Sequence, residues 1–124
     1  MIYLGTNSNI ITLTLSELTP VVYGVTYSYL FNFINEINGT ESNFISIDES
    51  LFPQRYNKFE IIVDETEDLL NGIVNLEAGF YNYNIYYQES TINLNTASAS
   101  GIVEIGKVYM NSNSHKISVD NIYL

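Results

Sequence analysis

The sequence predicts an all-β domain, a sandwich of short strands, and three observations support this prediction. Apolar and polar residues alternate in short runs along the chain, and Gly, Asn or Asp separates one run from the next. In the clearest run, residues 27–33, rings at every second position place Tyr27, Tyr29, Phe31 and Phe33 on one strand face. No stretch keeps a helical period beyond about two turns. We therefore expect one domain over residues 1–124, which is long enough to bury its own core.

Turn residues divide the chain into about eight strands. Pro20 marks a turn, Asn38-Gly39 suits a tight hairpin because both residues tolerate positive φ, and residues 51–53 form another turn. Asn71-Gly72 predicts a second hairpin, and residues 65–70 are the best candidate for a single helical turn. We expect a short first strand at residues 2–4 and eight longer ones at residues 9–15, 25–34, 43–47, 59–63, 73–76, 80–88, 102–110 and 117–123.

Tyr81 indicates which kind of sandwich this is. It follows a tight turn at residues 76–80 and begins a late strand, as does the tyrosine corner of immunoglobulin-like (Ig-like) domains, where the hydroxyl bonds back to the backbone. The alternative is a core tyrosine with its hydroxyl at the rim, and both interpretations suit a sandwich. The predicted fold is thus a single Ig-like antiparallel β-sandwich of about seven or eight strands.

The charge balance restricts the partners. Four basic residues face fourteen acidic ones, and the net charge is -10. Such a surface repels phosphate groups, so we expect neither nucleic acid nor an anionic membrane as a partner. Proteins, neutral glycans and cations remain as possible partners. The chain has no cysteine, which excludes disulfides and thiolate metal sites, and we find neither a signal peptide nor an apolar run of the roughly 20 residues that span a bilayer.

The sequence offers little for catalysis. The one histidine, His115, lies in the polar segment 111–115, where we expect an exposed loop rather than a base held against a nucleophile. No glycine-rich phosphate loop or nucleophile elbow is present. We therefore expect no enzymatic activity and no cofactor.

One acidic segment is a candidate cation site. Calcium requires several oxygen ligands that converge from a loop, and five carboxylates lie close together in this part of the sequence. Their spacing does not match an EF-hand, and a solvated acidic loop is the alternative, which we favour; we expect no metal site. These residues are Glu60, Asp64, Glu65, Glu67 and Asp68.

Most of residues 25–110 resembles a family of small structural proteins of tailed bacteriophages, the crAss-like phages and related marine viruses. The resemblance rests on residues 27–33, 54–59, 79–90 and 101–109, in that order and spacing. It implies a virion component without catalytic residues. Residues 1–24 and the last dozen do not share it, and we expect site-specific contacts there.

A basic turn is the candidate interface. Arg55, Tyr56, Asn57 and Lys58 hold two of the four cations, and we expect them to dock against an acidic neighbour such as a capsid shell subunit. The alternative is an ordinary surface turn. Tyrosine, with eleven copies, adds rigid contact area of the kind that protein interfaces use, although capping of the sandwich edges would also explain it.

These observations favour a virion protein, most specifically a capsid auxiliary or decoration protein on the head shell. Its partners would be other virion proteins, above all the major capsid protein, with homo-oligomers as a further expectation. A connector, tail or head-fibre subunit is the alternative. A carbohydrate- or receptor-binding module is another, in which Tyr86 or Tyr87 would stack on sugar rings. Residues 117–124 are a candidate for strand pairing between neighbours.

Overall fold

The computed structural model describes residues 1–111 and is all-β in that range, apart from a short 3-10 helix at Thr96–Ser98. The predicted strands between residues 2 and 110 are confirmed, with ends that move by a few residues. The predicted strand 117–123 lies outside the described residues. The strands are β1 (Ile2–Leu4), β2 (Asn7–Leu13), β3 (Ser28–Asn35), β4 (Glu41–Ser46), β5 (Asn57–Val63), β6 (Ile73–Val74), β7 (Gly79–Gln88) and β8 (Gly101–Met110).

The strands form two sheets, and the predicted sandwich is confirmed. One sheet has five strands in the order β1-β8-β7-β3-β4, and the other has three in the order β2-β5-β6. In the first sheet β7 lies between β8 and β3, and in the second β2 pairs with β5. Buried side chains from both sheets form one hydrophobic core between them.

Within residues 1–111, two of the six strand pairings are parallel, so the sheets are mixed rather than purely antiparallel. β1 runs parallel to β8, and β6 runs parallel to β5. The turn at Asn71-Gly72 forms, with Gly72 at φ 73°, but it closes an isolated bridge between Asp68 and Ile73. The predicted hairpin between β5 and β6 is therefore wrong. The turn at Asn71-Gly72 reverses the chain between Asp68 and Ile73, not between β5 and β6, and β6 runs in the same direction as β5.

The helical turn predicted at residues 65–70 is also wrong. Asp68 is part of the β-bridge, and the Leu69 carbonyl accepts a hydrogen bond from the Ile45 amide at 2.7 Å. The segment thus borders the edge strand β4 and satisfies one of its amides, and an edge contact of this kind outweighs a weak local preference for helix.

Aromatic rings fill the core between the sheets. Phe31 of β3 stacks on Phe44 of β4 with ring centroids 5.2 Å apart, and Phe59 from the opposite sheet meets Phe31 edge-on at 5.0 Å. Tyr29 and Phe33 share this buried face, as the alternation predicts. Tyr27 precedes the strand, is half-buried, and packs edge-on against Tyr87 at 5.1 Å.

The tyrosine corner is confirmed at Tyr81. Its buried hydroxyl donates a hydrogen bond to the Glu77 carbonyl at 2.7 Å, where the chain enters β7. Replacement of Tyr81 by Phe is expected to lower the free energy of unfolding by about 1 kcal/mol, the usual net value of one hydrogen bond. Urea unfolding measures the loss. Tyr3→Phe, at an exposed ring, is the control, and equal losses in the two variants would refute a stabilising corner.

Candidate protein-interaction surfaces

The structure divides the predicted basic interface. Arg55 lies in an exposed turn, where its backbone amide donates a hydrogen bond to the Phe52 carbonyl at 2.9 Å. Tyr56 and Lys58 are half-buried. Asn57 is only 1% exposed. It therefore cannot contact a partner directly, and its place in the predicted interface is corrected. Docking through Arg55, Tyr56 and Lys58 stays a prediction.

Asn57 instead joins three segments of the chain. Its Oδ1 accepts hydrogen bonds from the amides of Leu15 at 2.7 Å and Ser16 at 3.2 Å. Its Nδ2 donates to Asp48 Oδ2 at 2.7 Å, and Asp48 Oδ1 accepts from the Lys58 amide at 3.0 Å. The side chain thus ties the start of β5 to the loops that follow β2 and β4, and it supports the basic turn from inside.

The acidic segment does not assemble into a cation site. In residues 1–111, no three His, Asp or Glu side chains lie close enough together to hold a metal ion. The carboxylates bind separate local groups: Asp64 accepts from the Thr66 amide at 3.1 Å, and Glu67 from the Asn75 amide at 3.0 Å. His115 lies outside the described residues.

An exposed apolar surface, which the sequence reasoning missed, covers the outer side of β1, β8 and β7. We call it the outer apolar face. Tyr3 is 70% exposed and Ile105 is 69% exposed. Tyr109 lies opposite both Tyr3 and Phe80, and its ring centroid is 4.8 Å from that of Phe80. The face consists of Tyr3, Phe80, Ile102, Ile105 and Tyr109.

The outer apolar face is nearly free of charge. Within residues 1–111, Lys107 is the one charged residue that these three strands place on this side, and it forms an ion pair with Glu36 at 2.7 Å. The sequence did contain a signal for the face. In β8, apolar residues occur both at buried positions, such as Val108, and at exposed ones, such as Ile102 and Ile105, so the strand is apolar on both sides.

The other half of the same sheet surface is covered by the chain itself. The loop of residues 89–100 folds over β3 and β4, and the Leu94 carbonyl accepts a hydrogen bond from Asn43 Nδ2 at 3.0 Å. Beneath it, asparagines on adjacent strands form a ladder: Asn32 Nδ2 donates to Asn43 Oδ1 at 2.6 Å, and Asn84 Nδ2 donates to Asn32 Oδ1 at 3.1 Å. The loop therefore limits the open surface to β7, β8 and β1.

A groove of about 890 Å³ opens at one end of the sandwich. Apolar side chains from the loop between β2 and β3 and from the end of β4 line it, and Asp48 and Asn71 add polar groups. A cavity of this size matches pockets that hold small ligands. Its apolar lining includes Val21, Val25, Tyr27, Tyr29, Ile45 and Ile47.

The two tyrosines predicted to stack on sugar rings are not open platforms. Tyr87 is half-buried, packs against the core and holds Tyr27 edge-on. Gly101 lies directly across from Tyr87, and a Cβ there would lie 2.9 Å from the ring. Tyr86 is half-buried on the opposite side of the strand. The groove is therefore the better location for a ligand.

A cleft of about 580 Å³ runs between β8 and β2 on the side where β1 is short. The Tyr83 ring crosses Gly106, where a Cβ would approach the ring to 2.6 Å, so only glycine fits there without displacing the ring. The Tyr83 hydroxyl donates to Glu104 Oε2 at 2.5 Å, and both residues line the cleft. Burial, then the hydrogen bond to Glu104 and its negative charge, raises the pKa of Tyr83 well above 10.

The raised pKa of Tyr83 predicts a loss of stability at high pH. The folded state keeps the Tyr83 proton above pH 10.0, the ordinary pKa of tyrosine, whereas the unfolded chain releases it. The stabilisation is thus complete below about pH 10 and falls as the pH rises toward the folded-state pKa. Urea unfolding between about pH 8 and pH 11 should show a steeper decline for the native protein than for Tyr83→Phe. Parallel curves for the two proteins would contradict the assignment.

In comparisons with known proteins, this chain matches no protein-family model, no curated protein and no solved structure. In residues 1–111, no helix is long and apolar enough to cross a membrane. The class of protein is therefore defined by the fold, an all-β sandwich of two sheets with an outer apolar face, a groove and a cleft.

Proposed function

We propose that this protein is a non-enzymatic structural component of a tailed-phage virion, a capsid auxiliary or decoration protein on the head shell. The observation that carries the proposal is the outer apolar face on an otherwise acidic protein. Exposed apolar side chains grouped on one face mark an interaction site, and the nearly uncharged face lets a protein partner approach without repulsion. The resemblance of residues 25–110 to phage structural proteins supports this proposal.

The net charge favours the outside of the particle. A protein with a charge of -10 is repelled by packaged DNA, because both carry the same sign. The outer surface of the head shell imposes no such cost. The major capsid protein is therefore the proposed partner, and the virion is the proposed location.

Gold-labelled antibody on intact particles tests the proposal. We expect gold on the heads of particles that were never opened. Label at the neck or tail alone would favour the alternative, a connector, tail or head-fibre subunit, and such a subunit should also form closed oligomers in light scattering. Particles without label before and after opening would refute a virion protein.

The basic turn is a second candidate docking surface, and reversal of its charges tests it. The double variant Arg55→Glu and Lys58→Glu should lower binding to shells by about tenfold or more, because like charges across an interface repel. Quantitative gels of purified particles measure the copies per particle. An unchanged urea midpoint would show that the variant folds. Unchanged incorporation would remove the turn from the interface.

The groove favours a second candidate, a carbohydrate- or receptor-binding module. It combines the half-buried Tyr27 ring with the polar side chains of Asp48 and Asn71, and sugars bind to sites that offer both an apolar surface and hydrogen-bonding groups. A glycan array with the purified protein tests this candidate. Absence of binding to every glycan would exclude the carbohydrate form of it.

A further inference from the structure

The cleft beside β8 exposes an incomplete sheet edge. β8 pairs with β7 on one side, but on the other side β1 pairs only with Val108, Tyr109 and Met110. Residues 101–107 therefore have no partner strand on that side within the described chain. A row of unpaired backbone groups is a template for one more strand.

The surroundings of this edge suit an added strand. The cleft lies directly along it, with a volume of about 580 Å³, and is bordered by Ile2 of β1, Ile10 of β2 and Ile105 of β8. Strand β2 is itself the edge of the three-stranded sheet, so both sheets are open on this side of the sandwich. An entering strand would extend the five-stranded sheet and fill the cleft.

We propose that the cleft binds residues 117–123 of a second copy of this chain as an added β-strand. That segment contains neither Gly nor Pro, and Ile117, Val119 and Tyr123 fall on one face in an extended conformation. Its seven residues match the seven unpaired positions of β8. In strand addition, backbone hydrogen bonds supply the affinity, and pockets for alternate side chains supply the specificity.

Charge favours this segment over a contact between two folded bodies. Residues 112–124 hold one cation, Lys116, and one acidic residue, Asp120, so residues 1–111 carry the full excess of acid. The segment is therefore the part of a second copy that approaches an acidic body with the least repulsion. Glu104, bound to the Tyr83 hydroxyl, is the carboxylate in the cleft.

The position of β1 favours a second copy, rather than the same chain, as the source of the added strand. The Asn111 amide bonds the Leu4 carbonyl at 2.9 Å, so the chain leaves β8 at the end that β1 covers. A segment that turned back from there would meet the outer edge of β1, about 4.8 Å farther from β8. A strand from another molecule can enter from the end at Gly101 and reach β8 directly.

Two full-length variants test the proposal. Val119→Pro removes a backbone N–H from the donor strand, and Ser112→Pro, five residues before the strand, is the matched control. Size-exclusion chromatography with light scattering should give at least a dimer mass for the native protein and the control, and a monomer mass for Val119→Pro. Monomers throughout, or association that survives Val119→Pro, would overturn the proposal.

A peptide experiment locates the site. A synthetic peptide of residues 112–124, added to the Val119→Pro protein, should slow amide hydrogen exchange at residues 101–107 by about tenfold or more. Exchange in β4, at the opposite edge of the sheet, should not change. Protection elsewhere, or equal protection by a peptide with Pro at position 119, would refute the assignment. Protection of residues 101–107 in a monomeric native protein would show pairing within one chain and would also overturn it.

This inference goes beyond the proposed function and can fail independently of it. Light scattering and hydrogen exchange use purified protein, whereas antibody labelling uses particles. A monomer on the head shell would refute only the strand addition, and an associating protein absent from particles would refute only the virion assignment.

Discussion

Replacement of Phe31 by Ala is expected to lower the free energy of unfolding by about 3–5 kcal/mol, the usual cost of truncating a buried Phe. Phe31 is fully buried where the two sheets meet, stacked on Phe44 and edge-on to Phe59. Its removal leaves a cavity between rings that β-strands hold in place, and the neighbours can collapse into it only in part.

Urea unfolding followed by circular dichroism measures this loss. Ile37→Ala is the matched control, because Ile37 is 90% exposed in the hairpin loop and should change stability by about 0.5 kcal/mol or less. A loss for Phe31→Ala below about 1.5 kcal/mol would contradict a tightly packed core at the centre of the sandwich. A total loss of folding would agree with it, and Phe31→Leu would then supply a smaller, measurable loss.

Replacement of Asn57 by Leu is expected to lower the free energy of unfolding by about 2–4 kcal/mol. Leu has a similar size but no polar atoms, so the buried Leu15 amide loses its 2.7 Å acceptor and Asp48 loses a donor. Unpaired buried groups cost more than the hydrogen bonds contribute on average, because water does not replace the lost partner.

The control for this change is Asn82→Leu, the same substitution at an exposed position of β7. It should alter the unfolding free energy by about 0.5 kcal/mol or less. The Asn57→Leu variant should also loosen the basic turn, and faster hydrogen exchange of the Arg55 amide would report it. If Asn57→Leu and Asn82→Leu destabilise equally, Asn57 does not hold the three segments together.

The two halves of the five-stranded sheet differ in exposure, and this difference locates the candidate interaction surface. The loop of residues 89–100 covers β3 and β4 through polar contacts such as that from Asn43 to the Leu94 carbonyl, while β7, β8 and β1 stay open. The protein therefore presents one nearly uncharged face from a body with a charge of -10. A partner that binds this face avoids most of the acid surface.

Local sequence determined the strands and the turns between them. Alternation along residues 27–33 predicted which rings are buried, because a strand turns successive side chains to opposite faces. Asn38-Gly39 predicted its hairpin, and Tyr81 predicted the tyrosine corner, since the bonds involved join residues close in the chain. These features need only short-range geometry, and the sequence alone sufficed for them.

Tertiary structure alone decided the contacts between distant segments. It made β1 parallel to β8, buried Asn57 between the loops that follow β2 and β4, and placed residues 89–100 over half of a sheet. Each of these depends on which strands become neighbours, and an alternating pattern is the same for an edge strand and a central one. The outer apolar face and the cleft arise from such pairings, so they became visible only when the sheets were assembled.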